Sequence, residues 1–376
     1  MSEHKEELRI HSGKLLILNI FDHGGQIEKE MLCRALNCPV SLGWDKPVEI
    51  KLSETEGIIS SKNVEKPCKI KVYSDLFPAG SSIIRVELEF SNANFTLLDL
   101  TRAIHTPSIY IDGEELYGYV SKRVEEIRNK LKPFVESNYL IEKGYYPWIS
   151  DYAILKVSEF TPKVNQNELK RIYGSELTLF LSGEASTRIL HGREITEKLS
   201  HDISYYDDEL FLAAYEYAFV WKCDDYFNEL LRYIELALSL SLTFHAYDWR
   251  IDSEIEEAYN AIRLAQKPLI FSQAPRKLEK ALLKVSEMHL DILDNIEDLM
   301  NPVKITPDWY YQSAYERILK ILKVNEFEKI VEEKIHTLQE LYNTSQEISY
   351  SKIAMILEIS IVLLIAFEIV LFLWII

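Results

Sequence analysis

Residues 353–376 read IAMILEISIVLLIAFEIVLFLWII, with no glycine, proline, lysine or arginine. As a helix this run is about 36 Å long, enough to cross a hydrocarbon core of roughly 30 Å. The remainder of the chain is then expected to stand as a soluble body on one membrane face.

Two carboxylates interrupt the run. Glu358 and Glu368 fall about 80° apart around a helix, close enough to share a seam with Ile361, Ile365 and Phe372. Glu358 lies near the end that joins the soluble body and is expected to snorkel to the interface. Glu368 lies deeper, and its carboxyl is expected to hydrogen-bond between copies of the same helix or to another protein's helix. An ion or proton path is the alternative reading.

A chain of 376 residues, 47% of them hydrophobic and 11% aromatic, can bury a sizeable core and build two or three modules before such an anchor. The 59 acidic and 42 basic residues leave a net charge of −17, which argues against broad binding of nucleic acid or anionic lipid. Residues 1–13, MSEHKEELRIHSG, are polar and unlike a secretory signal. The expectation is a tail-anchored protein whose bulk is cytoplasmic, or on the matrix side if organellar. Lys329, Lys334 and Lys352 on the N-terminal side of the span agree with that orientation. Cys33, Cys38, Cys68 and Cys223 are then free thiols in a reducing compartment.

The fold class expected is α+β. Residues 1–200 form a mixed α+β region, residues 201–350 a strand pair and a long helical coiled-coil stalk, and residues 353–376 the membrane helix. Strands are expected at Lys14–Phe21, Pro47–Leu52, Lys69–Tyr73, Ser82–Phe90 and Tyr152–Val157. Helices are expected at Glu28–Leu36, Leu97–Ala103, Val120–Leu131 and Asn167–Tyr173. Lys122, Arg123, Arg128, Lys130 and Lys132 form the best cationic face in this acidic chain, either a solvated helix face or a docking site for RNA or an acidic partner. Ribosome or nucleic-acid binding would have to use it.

Asp207, Asp208 and Glu209 stand together before a strand pair, Leu210–Ala214 and Tyr217–Trp221. Three adjacent acids could hold a divalent cation, although without a distant His or Asp ligand a solvated turn is the simpler explanation. Beyond residue 225 the pattern is helical. Leu278, Leu282, Val285, His289, Ile292, Ile296 and Leu299 alternate spacings of four and three, the seam of a coiled coil, with His289 setting register or partner choice. Thr306-Pro307-Asp308 reads as an N-cap, a proline at the first helical position and an acid after it, and Asn325 with Glu328 as a second capping signal.

No phosphate-binding loop, dinucleotide fingerprint, nucleophile elbow or zinc-protease motif occurs in the chain. Ser182-Gly183-Glu184-Ala185-Ser186 approaches a nucleophile loop but lacks its second glycine.

Asp308-Trp309-Tyr310-Tyr311 with Tyr315, the segment Val331–Tyr342, and Leu357-Glu358 through Glu368 resemble the required-for-meiotic-nuclear-division family, especially its bacterial branch. Ser204–Trp221, Leu236–Asp252 and Leu16–Gly25 extend the resemblance upstream. It implies a helical stalk ending in a membrane helix with two glutamates, and for eukaryotic relatives an inner mitochondrial membrane and support of organelle translation. The chain departs from the pattern at Thr243 and His245, ahead of Tyr247-Asp248, where Glu and Arg are expected, and at Asp298, where lysine is usual.

The function expected is a membrane scaffold that associates with itself or another membrane protein through stalk and span. No cofactor and no catalytic residue are expected. The alternatives are a metal-dependent membrane enzyme using Asp207, Asp208 and Glu209, and a membrane tether for ribosomes or RNA.

Overall fold

The computed structural model describes residues 6–23, 27–36, 47–61, 64–78, 80–106, 108–134, 149–188, 190–265, 283, 290 and 296–375. Two compact units divide the chain: Met1–Ala246 with Asn295–Phe327, and Tyr247–Asp294 with Glu328–Ile376.

The first unit is built on a sheet of nine strands among the described residues. They are β1 (Arg9–Asp22), β2 (Val48–Ser61), β3 (Val64–Leu76), β4 (Ser81–Phe90), β5 (Ile109–Ile111), β6 (Glu114–Glu115), β7 (Ile149–Thr161), β8 (Leu210–Ala213) and β9 (Tyr217–Trp221). Their order is β6-β5-β2-β3-β4-β1-β7-β9-β8. Neighbours are antiparallel except β7 and β9, which run parallel with Leu155 opposite Phe219. β1 lies deep in this order because it reads as an almost unbroken apolar run, the pattern of a strand covered on both faces. It pairs with β4 through Ile17 and Val86 and with β7 through Ile17 and Ala153.

One face of the sheet carries Leu15, Ile17 and Phe21 of β1, Val86 and Leu88 of β4, and Phe219 and Trp221 of β9. Helices α1 (Lys29–Leu36), α2 (Leu97–His105), α3 (Leu116–Leu131) and α4 (Gln166–Leu181) contribute Leu32, Leu100, Val124 and Leu177 to the same core. α4 is longer than the expected Asn167–Tyr173. Asn165 and Glu168 form a reciprocal capping box at its start. At its end Gly183, at φ +65°, donates to Phe180 O and Glu184 to Leu179 O, each at 2.9 Å. The Ser182-Gly183-Glu184 segment is therefore a glycine-terminated helix cap. A side chain at Gly183 would meet the Tyr217 ring at 2.7 Å. α5 (Gly192–Leu199) follows, with Leu199 and Ile195 against Gly174 of α4.

The opposite face is covered by the first part of α6 (Phe227–Ala265). Phe227 lies 6.4 Å from Phe211 and beneath the Lys156 ammonium at 4.6 Å. Leu230, Ile234 and Ala237 are buried with it, the three-and-four spacing of an amphipathic face.

Helices α7 (Glu297–Met300), α8 (Pro302–Ile305) and α9 (Trp309–Ile321) complete this unit. Asp308, not Thr306, caps α9: its carboxylate accepts from the N–H groups of Tyr310 and Tyr311. Thr306 instead ends α8, its N–H donating to Pro302 O. α10 (Val324–Ile375) starts just after Lys323, at φ +58°, ahead of the Asn325 cap that the sequence suggested.

In the second unit, Val331, Ile335 and Leu338 of α10 are buried, as are Ile251 and Ala258 of α6. Lys334 joins the two helices through Asp248 at 2.5 Å and Asp252 at 2.7 Å. Of the expected coiled-coil seam, Leu278, Leu282, Val285, His289 and Ile292 lie outside the described residues. Ile296 is buried in the first unit, where the Leu299 carbonyl accepts from the Tyr315 hydroxyl at 2.8 Å.

Candidate functional site

Two segments about one hundred residues apart in sequence meet on the first unit. The turn before β8 brings Ile203–Glu209 against the start of α9. The Tyr310 hydroxyl donates to Ile203 O at 2.8 Å, and the Tyr205 and Tyr310 ring centres are 4.5 Å apart, edge to face. Tyr310 also meets Tyr226 at 5.6 Å and Tyr311 at 5.4 Å, and Tyr311 continues to Tyr233 at 5.9 Å. Edge-to-face pairs of this kind add about 0.5–1.5 kcal/mol each beyond area burial. The result is a continuous ladder of rings joining the turn, α6 and α9.

Glu209 is the polar centre of that ladder. Its Oε1 accepts from the backbone N–H of Tyr205 at 3.0 Å and of Tyr206 at 2.8 Å, and from the Tyr226 hydroxyl. Burial pushes the Tyr226 hydroxyl up, reinforced by Cys223 and Glu209, so it stays a donor at neutral pH. Burial likewise pushes the Cys223 thiol up to about 12, leaving it inert as a nucleophile. Asp207 and Asp208 stay exposed on the turn while Glu209 turns inward. The three acids therefore do not converge, and among the described residues no group of three His, Cys, Asp or Glu side chains could hold a metal ion.

The outer end of the ladder is open. Tyr205 is 45% exposed, Tyr206 55% and Trp309 69%, with Trp309 6.3 Å from Tyr205.

A second polar feature lies where α6 crosses the sheet. Arg85 of β4 donates to Glu235 of α6 at 2.8 Å, contacts Asp75 at 3.6 Å and Glu87 at 3.4 Å, and binds Glu49. Asp75 and Glu235 are each 1% exposed. Burial raises Asp75 well above the usual carboxylate range, with Glu235 adding to the rise and Arg85 opposing it. Beside this cluster the hydroxyls of Ser81 and Ser239 bond to each other.

The basic residues singled out on α3 separate. Lys122 pairs with Glu114 at 2.6 Å and Arg123 with Glu126 at 2.7 Å. Arg128 turns inward, donating from Nε to Asp22 O at 2.9 Å and lying over the Phe21 ring. Lys130 and Lys132 extend from this segment as exposed side chains and form no ion pair among the described residues. Cys33, Cys68 and Cys223 are buried and not disulfide-bonded, and Cys38 lies outside the described residues. Glu358 and Glu368 sit on the stretch Ala354–Leu371, an apolar segment long enough to cross a membrane, with none of its length buried against the rest of the chain.

Tyr310 stands out in the sequence only within its motif, and Tyr226, Arg85 and Glu235 not at all. A charged residue set inside a strongly apolar run, as Arg85 is in SIIRVELEF and Glu235 in LLRYIELALSL, was the available signal, because such a group must be paired if its neighbours are buried.

An α+β protein with a two-faced mixed sheet, a ring-lined turn and an apolar C-terminal helix is thereby defined. A family profile described as "Uncharacterized protein MJ0711, N-terminal domain" matches residues 12–227, and the chain belongs to that family. The matched residues run from β1 to the start of α6 and include Glu209 and Tyr226. The chain is 28% identical over 177 residues to the uncharacterized protein MJ0711 of Methanocaldococcus jannaschii. That alignment covers 47% of this chain and 53% of the relative, so the chain spans about half the length of the protein it matches. No solved structure matches it.

Proposed function

We propose that the protein is a membrane-anchored interaction scaffold, held by Ala354–Leu371 and presenting the first unit at the bilayer surface. The observation that carries this reading is the bareness of the helix: Val362, Leu363, Leu364, Phe367 and Val370 are all exposed. Side chains of this kind left uncovered need an apolar surrounding, and a hydrocarbon core supplies one at about 25 cal/mol for each Å² removed from water. In this reading the first unit is cytoplasmic, supported by Lys329, Lys334 and Lys352 before the span. Self-association runs through the span, with Glu368 as the polar contact between helices. The likeness of the Ser204–Trp221 and Asp308–Tyr311 motifs to the required-for-meiotic-nuclear-division family supports the same assignment.

The test is extraction of native membranes with alkaline carbonate. The full chain is expected to stay in the pellet, and a chain ending at residue 350 is expected to be released. Release of the full chain by carbonate sinks the reading.

A further inference from the structure

The open end of the ring ladder has the chemistry of a cation-recognition surface. Trp309, Tyr206 and Tyr205 are exposed together, with ring centres 4.6 Å apart for Tyr205 and Tyr206. Large aromatic side chains carry most of the energy at protein interfaces, and an exposed group of three is what such an interface would otherwise cover. These rings are also preorganised. Tyr205 is held against Tyr310, Tyr310 is fixed on Ile203 O, and the backbone N–H groups of Tyr205 and Tyr206 are tied to Glu209. A partner binding here pays little to order them.

The charge of the rim selects the partner. Asp207 and Asp208 follow Tyr206 directly, Asp308 precedes Trp309, and all three are exposed. Ring faces attract cations through their quadrupole, and carboxylates beside them accept the N–H groups of a guanidinium. Arginine satisfies both at once because its planar head stacks while its edge donates. A second copy of the chain, at net charge −17, meets long-range repulsion, and anionic lipid headgroups meet the same carboxylates.

We propose that Tyr205, Tyr206 and Trp309, with Asp207, Asp208 and Asp308, dock an arginine-bearing extended segment of a basic partner protein. The inference rests on the scaffold reading, for which it names the partner's chemistry, and it is tested on a different part of the chain from the membrane span.

The full chain in phosphatidylcholine nanodiscs is titrated into a fluorescein-labelled nine-residue peptide carrying three arginines spaced by Gly and Ser. A peptide with glutamate in place of arginine is the control. Saturable binding of the arginine peptide is expected, weakened about tenfold by Y206A/W309A, as loss of stacked cation contacts predicts. D207N/D208N/D308N is expected to weaken it several-fold and to flatten its salt dependence; asparagine at 308 still caps α9. D207N/D208N alone touches only exposed side chains, so its effect reports on binding rather than folding. The proposal is overturned if the arginine peptide does not bind, if the glutamate peptide binds as well, or if D207N/D208N binds like the parent. Recovery of the chain in nanodiscs reports the anchor separately, so a failed anchor and a failed docking surface give different results. Binding that needs anionic lipid in the disc and not the peptide would assign the rings to a membrane surface and also overturn the proposal.

Discussion

Arg85 and Glu235, 150 residues apart in sequence, meet at 2.8 Å between the sheet and the helix that covers it. Three further acids, Asp75, Glu87 and Glu49, press on the same guanidinium. Burial works against the Arg85 charge, but the surrounding carboxylates outweigh it and raise its pKa. Replacing Arg85 with Met leaves Asp75 and Glu235 buried without a counter-charge, and about 3–5 kcal/mol of stability is expected to be lost. Glu235→Gln keeps an acceptor for Arg85 and is expected to cost far less. Urea unfolding of the full chain in one detergent, followed by tryptophan fluorescence, measures both; a loss below about 1 kcal/mol for Arg85→Met contradicts the assignment.

The same cluster sets a pH dependence. Asp75 and Glu235 are both raised above the ordinary carboxylate range, chiefly by burial, with Arg85 opposing the rise in each. The folded chain therefore holds protons that the unfolded chain releases. Their contribution to stability is fully present below the unfolded value of about 4 and is lost as pH rises through the raised native values. Stability is expected to increase as pH is lowered from neutral toward about 5, and Asp75→Asn is expected to flatten that slope. Glu54 runs the other way: hydrogen bonds from Lys51 and Lys69 lower it to about 2, so its pairs weaken only in stronger acid. Melting temperatures of parent and Asp75→Asn from pH 5 to 8 decide it. Parallel curves would mean that Asp75 does not titrate in this window.

At the ring ladder, three consecutive acids are expected to behave as two kinds of residue. Glu209 accepts three hydrogen bonds in a buried setting. Tyr226→Phe removes one of them and is expected to destabilise by about 1–2 kcal/mol. Glu209→Ala strands the N–H groups of Tyr205 and Tyr206 as well and should cost more. Asp207→Asn with Asp208→Asn alters only exposed groups and is expected to stay within about 0.5 kcal/mol of the parent. Equal losses from Glu209→Ala and the Asn pair, in the same urea experiment, would refute the inward turn of Glu209.

The readable parts of this fold were those where one local pattern suffices. β1 announces itself because both of its faces are covered, β9 because Tyr217–Trp221 are all buried, and α6 because its apolar residues recur every three or four positions. The parallel pairing of β7 with β9 is set by the path of the intervening α4 and α5 and leaves no trace in either strand's composition. α4 outruns the expected Asn167–Tyr173 because Leu177–Leu181 is buried on every side and loses helical periodicity, although the Asn165 and Glu168 caps and Gly183 bracket it. Asp207, Asp208 and Glu209 are equivalent as letters. Only their positions relative to Tyr226 and the chain's own N–H groups separate a buried acceptor from two solvated carboxylates. The ladder itself was legible as two motifs, Ser204–Trp221 and Asp308–Tyr311, while their meeting depends on contacts no spacing rule supplies.

Glu358 and Glu368 share one helix and stand toward opposite ends of its apolar stretch. Glu358 lies four residues inside the start of the Ala354–Leu371 stretch and Glu368 three from its end, with Ile361, Leu364 and Ile365 between them, all exposed. Glu358 is close to the end that joins the rest of α10, where its carboxyl can reach the headgroup region along a short path. Glu368 can do so only on the far side of the bilayer, or else it needs a donor from another helix, a contact worth about 0.6–2 kcal/mol in a membrane. Replacing Glu368 with Leu is therefore expected to shift the full chain toward monomer in mild detergent by about threefold to thirtyfold in association constant, whereas Glu358→Leu leaves the distribution unchanged. Analytical ultracentrifugation in a density-matched detergent reads both variants against the parent. A parent that is already monomeric, or equal weakening by the two substitutions, removes Glu368 as an assembly contact and leaves the helix as an anchor only.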